Sequence, residues 1–304
     1  MANERKTSRY SSLDKNGYAT GYLMLLPALI LLTIFVMIPL FMAAEKSLFN
    51  WQFYKESTFV GLDNFRQVLK TPNFRKSLLN AVKFTAMIVP IITMLAFLLA
   101  HALKQVSHRF GNIIKTAVYI PGVISGIAAG AIFLFILEYK GGVINQFVHW
   151  LTGSRIAFLT NATYATWTVV WATVWLWLGT NTILMYAGLM NVPEEYYEAA
   201  SLDGANAVHK MVFITIPQMK NIMALMCINL TTLTLQIFDI PLMLTKGGPR
   251  NTTMTPVLYL YESFREPNKS MGYTIAGALL IMIVIALINS VFFTLIKSEK
   301  TAEG

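Results

Sequence analysis

The sequence has few of the residues that build covalent or metal-held sites. It contains a single cysteine, Cys227, so no disulfide can form within the chain. Its four histidines lie far apart, without the spacing of metal ligands, and we expect no metal site. The sequence also lacks a Gly-x-x-x-x-Gly-Lys-Ser/Thr loop for nucleotide phosphates and a nucleophile elbow. These absences predict a chain that has no catalytic residues and binds no cofactor of its own.

Charge is scarce as well. Charged residues make up 13% of the chain against 55% hydrophobic residues, and the mean hydropathy is +0.54. An ordinary soluble domain carries about 25% charged residues. Several windows of about 20 residues have almost no charge, which is the length that a helix needs to cross a membrane. The sequence therefore predicts an all-α membrane protein. The net charge of +9 is spread over the hydrophilic gaps, which favours basic flanks of membrane spans over nucleic-acid binding.

The apolar windows predict six transmembrane helices. The first is longer than the core of about 7–15 residues in a secretory signal peptide, which favours a retained helix over a cleaved signal. Residues 1–20 before it and 298–304 at the end are polar and predict solvated tails. The predicted spans cover 21–44, 82–103, 116–137, 165–189, 221–244 and 273–296.

Two of the segments between these spans have distinctive patterns. In residues 45–79 aromatic and basic residues alternate, which predicts short amphipathic helices along the membrane surface. This loop and the first span form a segment over 21–75, and a transmembrane core follows over 76–297. In the third span, Gly122, Gly126 and Gly130 recur every fourth residue and predict close helix packing on one face. Packing within the chain is favoured over a dimer contact.

The polar stretch 191–218 between the fourth and fifth spans is the most informative part of the sequence. Pro193 and the two glutamates after it fit the start of a helix. Ala199–Ala200 present almost no side chain, and Asp203–Gly204 breaks this helix. Pro217 is expected to end a second short helix before the fifth span. We predict a rigid, exposed pair of helices that a partner contacts; the alternative is an ordinary solvated loop.

The spacing within this stretch resembles a known signature. Glu198-Ala199-Ala200, three residues, Gly204, nine residues, Ile214, one residue and Ile216-Pro217 resemble the EAA motif of permeases in binding-protein-dependent ABC importers. Ile216 stands where the family pattern has leucine. Residues 201–205, Phe238-Asp239 and Gly247-Gly248-Pro249 resemble the carbohydrate-uptake branch, in particular its maltose- and glycerol-phosphate-type first permease. The resemblance runs from about Phe74 to the end of the chain.

The resemblance implies an orientation and a set of partners. The EAA loop of the family is cytoplasmic and docks as a coupling helix in a cleft of an ATPase, so both termini would be cytoplasmic. Lys and Arg counts leave the orientation open, with 11 residues on the side of the termini and 13 on the other. The implied partners are a second homologous permease, two copies of the ATPase with its ATP and Mg, an extracytoplasmic solute-binding protein and membrane lipid, but no nucleic acid. The implied location is the cell (inner) membrane of a bacterium or archaeon. The implied coupling residues are Glu198, Ala199, Ala200, Asp203, Gly204 and Pro217.

The fourth and fifth predicted spans carry aromatic and polar side chains that a sugar path would need. Polar groups inside a membrane usually face a water-filled cavity or a partner helix. On a helical period, Asn229, Thr232 and Gln236 lie close to one face. Hydrogen bonding between helices and an interfacial aromatic belt explain each of these residues equally well. The candidate path residues are Trp175, Trp177, Asn181, Asn229, Thr234, Gln236 and Asp239.

The cargo and the energy source have alternatives. An oligosaccharide is the predicted solute, with glycerol phosphate or another polyol-type compound as the alternative. A secondary transporter or channel, driven by an ion gradient, is a different class, and no inverted repeat that would support it is visible. A membrane-bound enzyme would need a catalytic set, and none is found in the sequence. The sequence thus favours a permease subunit powered by a separate ATPase.

Overall fold

The computed structural model describes residues 21–52, 55–267 and 269–301. The predicted N-terminal tail and residues 302–304 of the predicted C-terminal tail lie outside this range, as do Phe53 and Tyr54 of the first loop. The chain divides into two compact units, one of residues up to Gln67 with Lys269–Leu279 and one of Val68–Asn268 with the residues from Leu280 onward. The elements, in chain order, are α1 (Gly21–Lys46), β1 (Phe49–Gln52), β2 (Lys55–Phe59), α2 (Asp63–Lys70), α3 (Pro72–Gln105), α4 (His108–Tyr119), α5 (Gly126–Ile136), α6 (Val143–Thr152), α7 (Ala162–Met190), α8 (Glu194–Leu202), α9 (Ala207–Leu235), α10 (Asp239–Thr245), α11 (Pro256–Arg265) and α12 (Met271–Thr301).

The long apolar helices agree with the predicted spans. Within the described residues, α1, α3, α7, α9 and the first 21 residues of α12 are long and apolar enough to cross a membrane. A sixth span is present if a bent pair of helices over the predicted third span counts as one. The mostly helical membrane architecture is therefore confirmed, with α3 and α7 extending beyond the predicted boundaries.

The smaller unit contains a feature that the sequence did not predict. The strands β1 and β2 pair antiparallel, and the rings of Phe49 and Phe59 meet edge to face with centroids 5.3 Å apart. Asn64 of α2 is buried and donates to the carbonyl oxygens of Ser47 and Phe49 at 2.7 and 2.9 Å. The predicted surface helix is present as α2, but the aromatic alternation before it has the period of a strand. It forms a hairpin instead of a helix.

The core of the larger unit lies where α3, α7 and α9 pack together. Its fully buried side chains include Phe84 and Ile92 of α3, Met185 of α7, and Met226 and Leu230 of α9. These helices are apolar on nearly every side, so they present apolar side chains to the core and also outward, as membrane helices do. Buried threonines in α7 and α9 donate their hydroxyls to carbonyl oxygens four residues earlier at 2.7–2.8 Å, so burial leaves no hydroxyl of these residues unpaired: Thr173, Thr182 and Thr234.

The predicted third span is not one straight helix. The segment Arg109–Val123 and α5 meet at an angle of 99°. Ile120–Val123 form a 3-10 turn, in which Pro121 has no backbone N–H to donate. Ser125 caps the start of α5, because its Oγ atom accepts a hydrogen bond from the N–H of Ala128 at 3.2 Å. The prediction that all three glycines share one helix face is wrong for Gly122, which the bend separates from Gly126 and Gly130 on α5.

The glycines nevertheless mark close packing within the chain. A Cβ atom on Gly122 would lie 2.9 Å from Oγ1 of Thr180 in α7. Cβ atoms on Gly126 and Gly130 would lie 2.7 Å from side chains of α10, at Asp239 and Met243. The favoured interpretation, packing within the chain, agrees with these contacts.

The predicted fifth span is broken as well. The helix α9 ends at Leu235, and α10 begins at Asp239 after three non-helical residues. Pro241 has no N–H to donate to the carbonyl oxygen of Ile237, and the buried hydroxyl of Thr255 donates to that oxygen at 2.7 Å instead. The prediction that Gln236 shares a helix face with Asn229 and Thr232 is therefore wrong, because Gln236 lies beyond the end of the helix.

Candidate functional site

A cavity lies where the bent third span meets the break after α9. Its volume is about 380 Å³. Non-helical backbone inside a membrane is tolerated only where it is covered by protein or lines a water-filled space, and both breaks lie beside this cavity. The lining residues are Gly122, Ile124, Gly126, Leu176, Trp177, Leu233, Gln236, Ile237, Phe238, Asp239 and Ile240.

Three of the seven predicted path residues line this cavity. Trp177 of α7 offers a half-buried ring, and Gln236 offers an exposed amide whose Nε2 atom donates to the carbonyl oxygen of Thr232 at 3.3 Å. Asp239, the first residue of α10, adds a carboxylate. A flat ring beside an amide and an acceptor-only carboxylate can stack on a solute and hydrogen-bond its hydroxyl groups.

The other four predicted path residues are not among the lining residues. The ring of Trp175 packs edge to face on Phe133, with centroids 5.4 Å apart. The buried side chains of Asn181 and Thr234 donate to carbonyl oxygens four residues earlier in their own helices, at 2.7 Å each. Asn229 is exposed on α9. These positions explain Asn181 and Thr234 as polar groups that are satisfied inside a helix.

Sequence reasoning missed the apolar and glycine part of the lining. Gly126 lies so close to Asp239 that a Cβ atom there would be 2.7 Å from the carboxylate atom Oδ2. The recurrence of glycines is the available signal, but by itself it predicts close helix packing and not a cavity. Phe238 also lines the cavity, whereas the sequence predicts only its neighbour Asp239 as a path residue.

The polar stretch after α7 forms the exposed helix α8. Its first turn carries Glu194 and Glu195 after Pro193. Glu198 and Ala199 are exposed, and Leu202 is 89% exposed. Gly204 has a φ of +78°, a conformation that residues other than glycine rarely adopt, and within the part of the chain that the structure describes no atom lies within 4 Å of its Cβ position. The predicted break at Asp203–Gly204 is therefore present.

Pro217 does not have the predicted position at the end of a short helix. The helix α9 starts after Asn206, whose Oδ1 atom accepts the N–H of His209 at 2.9 Å, and continues through Pro217 to Leu235. A π-helical turn over Met211–Thr215 precedes the proline. The prediction that Pro217 ends a helix is wrong. The π-helical turn shifts the register of the backbone hydrogen bonds, and Pro217 lies in the first turn of the α-helical segment that follows, where a residue without an N–H is tolerated.

Residues 20–298 match the family described as the binding-protein-dependent transport system inner membrane component. The chain belongs to this family. The prediction of a multi-pass permease in the inner membrane, which is not itself an enzyme, is thereby confirmed.

Relatives of the permease cover nearly its whole length. It is 29% identical over 297 residues to the lactose transport system permease protein of Rhizobium radiobacter, and the alignment covers 97% of this chain and 99% of the relative. It is 31% identical over 301 residues to an arabinooligosaccharides transport system permease protein of Bacillus subtilis, with 97% and 94% covered. The permease also shares its fold with a bacterial ABC transporter for import of the acidic polysaccharide alginate. The TM-score is 0.80 at 20% identity, over 95% of this chain and 98% of that one.

Proposed function

We propose that this permease forms, with a second permease, the membrane path of an ATP-driven importer for a sugar, in the first place an oligosaccharide. The observation that carries the proposal is the cavity at the two helix breaks, where Trp177, Gln236 and Asp239 lie together. Relatives over nearly the full length are named for lactose and for arabinooligosaccharides. A cavity of about 380 Å³ accommodates one or two sugar rings, and a longer chain would pass through it stepwise.

The exposed helix α8 is the proposed docking element for the ATPase. Its outward face carries Glu198, Ala199 and the nearly fully exposed Leu202, so small and apolar groups are available to a cleft on a partner. This assignment places α8 and both termini in the cytoplasm. The proposed coupling residues are half-buried at Ala200 and exposed at the other five positions: Glu198, Ala199, Ala200, Asp203, Gly204 and Pro217.

The remaining partners follow from the same proposal. Two copies of the ATPase bind ATP and Mg, a second homologous permease completes the path, and an extracytoplasmic binding protein delivers the solute. A structural relative has been crystallised as an alginate ABC transporter with an oligosaccharide-bound periplasmic protein, which supports this kind of assembly. Closure of the ATPases on ATP would move α8 and open the path to the outside, and hydrolysis would return it.

A tagged copy of this chain, expressed in its host with its natural partners, tests the proposal. We expect an ATPase and a second permease to co-purify, and the complex in liposomes to hydrolyse ATP faster when the binding protein and its sugar are added. A panel of disaccharides, longer oligosaccharides and glycerol phosphate identifies the cargo. Stimulation by glycerol phosphate alone would replace the sugar assignment, and uptake driven by an ion gradient in liposomes of this chain alone would overturn the importer.

A further inference from the structure

The lysine at the end of α3 contacts the helix α8. The Nζ atom of Lys104 lies 3.0 Å from Oε2 of Glu194 in the first turn of α8. The same Nζ atom lies 4.4 Å from the centroid of the Tyr197 ring, one turn further along α8. The Lys104 side chain is only 25% exposed, so its charge is partly withdrawn from water between these two partners. The Glu194 side chain is 67% exposed, so the ion pair is a weak surface pair, whereas the withdrawal of Lys104 from water strengthens its contact with the tyrosine ring.

The other end of Tyr197 reaches α9. Its hydroxyl lies 2.9 Å from Oγ1 of Thr215, which is fully buried in the π-helical turn. Oγ1 of Thr215 donates to the carbonyl oxygen of Lys210 at 3.3 Å, so the tyrosine hydroxyl is the donor to Thr215. The tyrosine ring is half-buried against the hydrophobic core of the larger unit. One side chain of α8 therefore contacts both the end of α3 and the start of the membrane part of α9.

Of the two α8 residues in these contacts, Glu194 is exposed and Tyr197 faces the hydrophobic core. Glu198, Ala199 and Leu202 are exposed, whereas Tyr197 is half-buried. Along the chain, α8 is joined to α7 and α9 by short irregular segments, and the second contains Gly204. Such segments bend easily, so a displacement of α8 would be absorbed there unless side chains tie the helix to the membrane helices.

We propose that Lys104 and Tyr197 are positioning residues that transmit the movement of α8 to α3 and to the π-helical turn of α9. The assignment rests on the proposed function, because it presupposes that an ATPase moves α8. A π-helical turn is a register change within a helix, and such turns are frequent at functional sites; Thr215 lies at its end, so a displacement of Thr215 acts directly on this register change. From there α9 leads directly to the break at Gln236 and the cavity.

Three variants and a matched control test this inference in the assembled complex. Lys104→Met removes the charge and keeps much of the apolar stem, and Lys104→Arg keeps a cation for both partners. Tyr197→Phe keeps the ring under the lysine but removes the hydroxyl that donates to Thr215. The control is Lys115→Met, because Nζ of Lys115 lies 3.8 Å from the centroid of Tyr186 in a contact between α4 and α7 that does not involve α8.

The measured quantity is the amount of sugar imported per ATP hydrolysed, together with the yield of assembled complex. We expect Lys104→Met to lower this ratio roughly threefold to thirtyfold, the range for loss of a partly buried cation–π contact, with the yield unchanged. Lys104→Arg should restore the ratio, Tyr197→Phe should lower it, and Lys115→Met should leave it unchanged. A ratio in Lys104→Met equal to that of the control would overturn the inference. So would a loss confined to the yield, which indicates a role in folding alone. If the unaltered complex shows neither uptake nor ATP hydrolysis, the proposed function fails, and the inference fails with it.

Discussion

A Cβ atom added to Gly126 would lie 2.7 Å from the Cβ atom of Asp239 and 2.7 Å from its Oδ2 atom. The two residues are the first residues of α5 and α10, and each follows a break in a predicted span. The carboxylate of Asp239 therefore lies close to the N-terminus of α5, where the partial positive charge of the helix favours an anion. The missing side chain at Gly126 is what lets the two helix starts meet beside the cavity.

This relationship predicts the effect of enlarging Gly126. Gly126→Ala must displace Asp239 or α10, since real Cβ contacts are almost never shorter than 3.0 Å, and overpacking of this kind costs about 1–3 kcal/mol. We expect sugar uptake to fall while the permease is still inserted in the membrane. Gly111→Ala is the control, because its nearest neighbour would lie at 3.5 Å. Equal uptake by the two variants would show that the contact does not matter for transport.

The two tryptophans near the cavity should differ in their effect on transport. The sequence predicted both Trp175 and Trp177 as path residues, but only Trp177 lines the cavity. Trp177→Leu should lower uptake roughly twofold to tenfold through loss of aromatic stacking on the sugar. Trp175→Leu removes a ring contact with Phe133 and should leave the sugar dependence of ATP hydrolysis unchanged. If Trp175→Leu changed the sugar dependence of ATP hydrolysis more than Trp177→Leu does, the assignment of the cavity would be contradicted.

The turn at Gly204 should separate transport from ATP hydrolysis. Its φ of +78° disfavours a β-branched side chain, and the left-handed conformation costs such residues about 1–2 kcal/mol. We expect Gly204→Val to be inserted normally but to hydrolyse ATP with little uptake, because α8 is displaced. Gly204→Asn is the control, since asparagine adopts this conformation more readily and the space around Gly204 is open. Normal coupling in Gly204→Val would contradict the role of this turn.

A fourth prediction concerns the smaller unit and its stability. A Cβ atom on Gly272 would lie 1.9 Å from the carbonyl oxygen of Phe49 and 2.8 Å from Nδ2 of Asn64. Gly272→Ala should therefore open the packing of the hairpin on the start of α12, and protease sensitivity of the purified protein within 47–64 should increase. Gly21→Ala is the matched control, because no atom of the described residues lies within 4 Å of its Cβ position. Unchanged digestion of Gly272→Ala would show that the hairpin is not held by this contact.

Much of the fold could be predicted because hydropathy is a local property. Windows of about 20 apolar residues predict membrane helices without knowledge of their neighbours, and α1, α3 and α7 each contain such a window, although α3 begins well before it. Turn residues are local as well, so the break at Asp203–Gly204 was correctly predicted from the sequence. Whether a proline ends a helix is harder to predict, because the outcome at Pro217 and Pro241 depends on the hydrogen bonds that surrounding residues make. The first is accommodated within a helix, and the second is compensated by Thr255.

The sequence by itself determined that this protein is a helical membrane permease with an exposed, glycine-broken helix between its fourth and fifth spans. Only the tertiary structure decided which polar and aromatic side chains reach a common cavity. Trp175 and Trp177 are two positions apart, so on a helix they point in directions about 200° apart, and the sequence does not say which faces inward. The answer depends on where two other helices break, and those breaks bring Gly126, Gln236 and Asp239 to the side of α7 that carries Trp177.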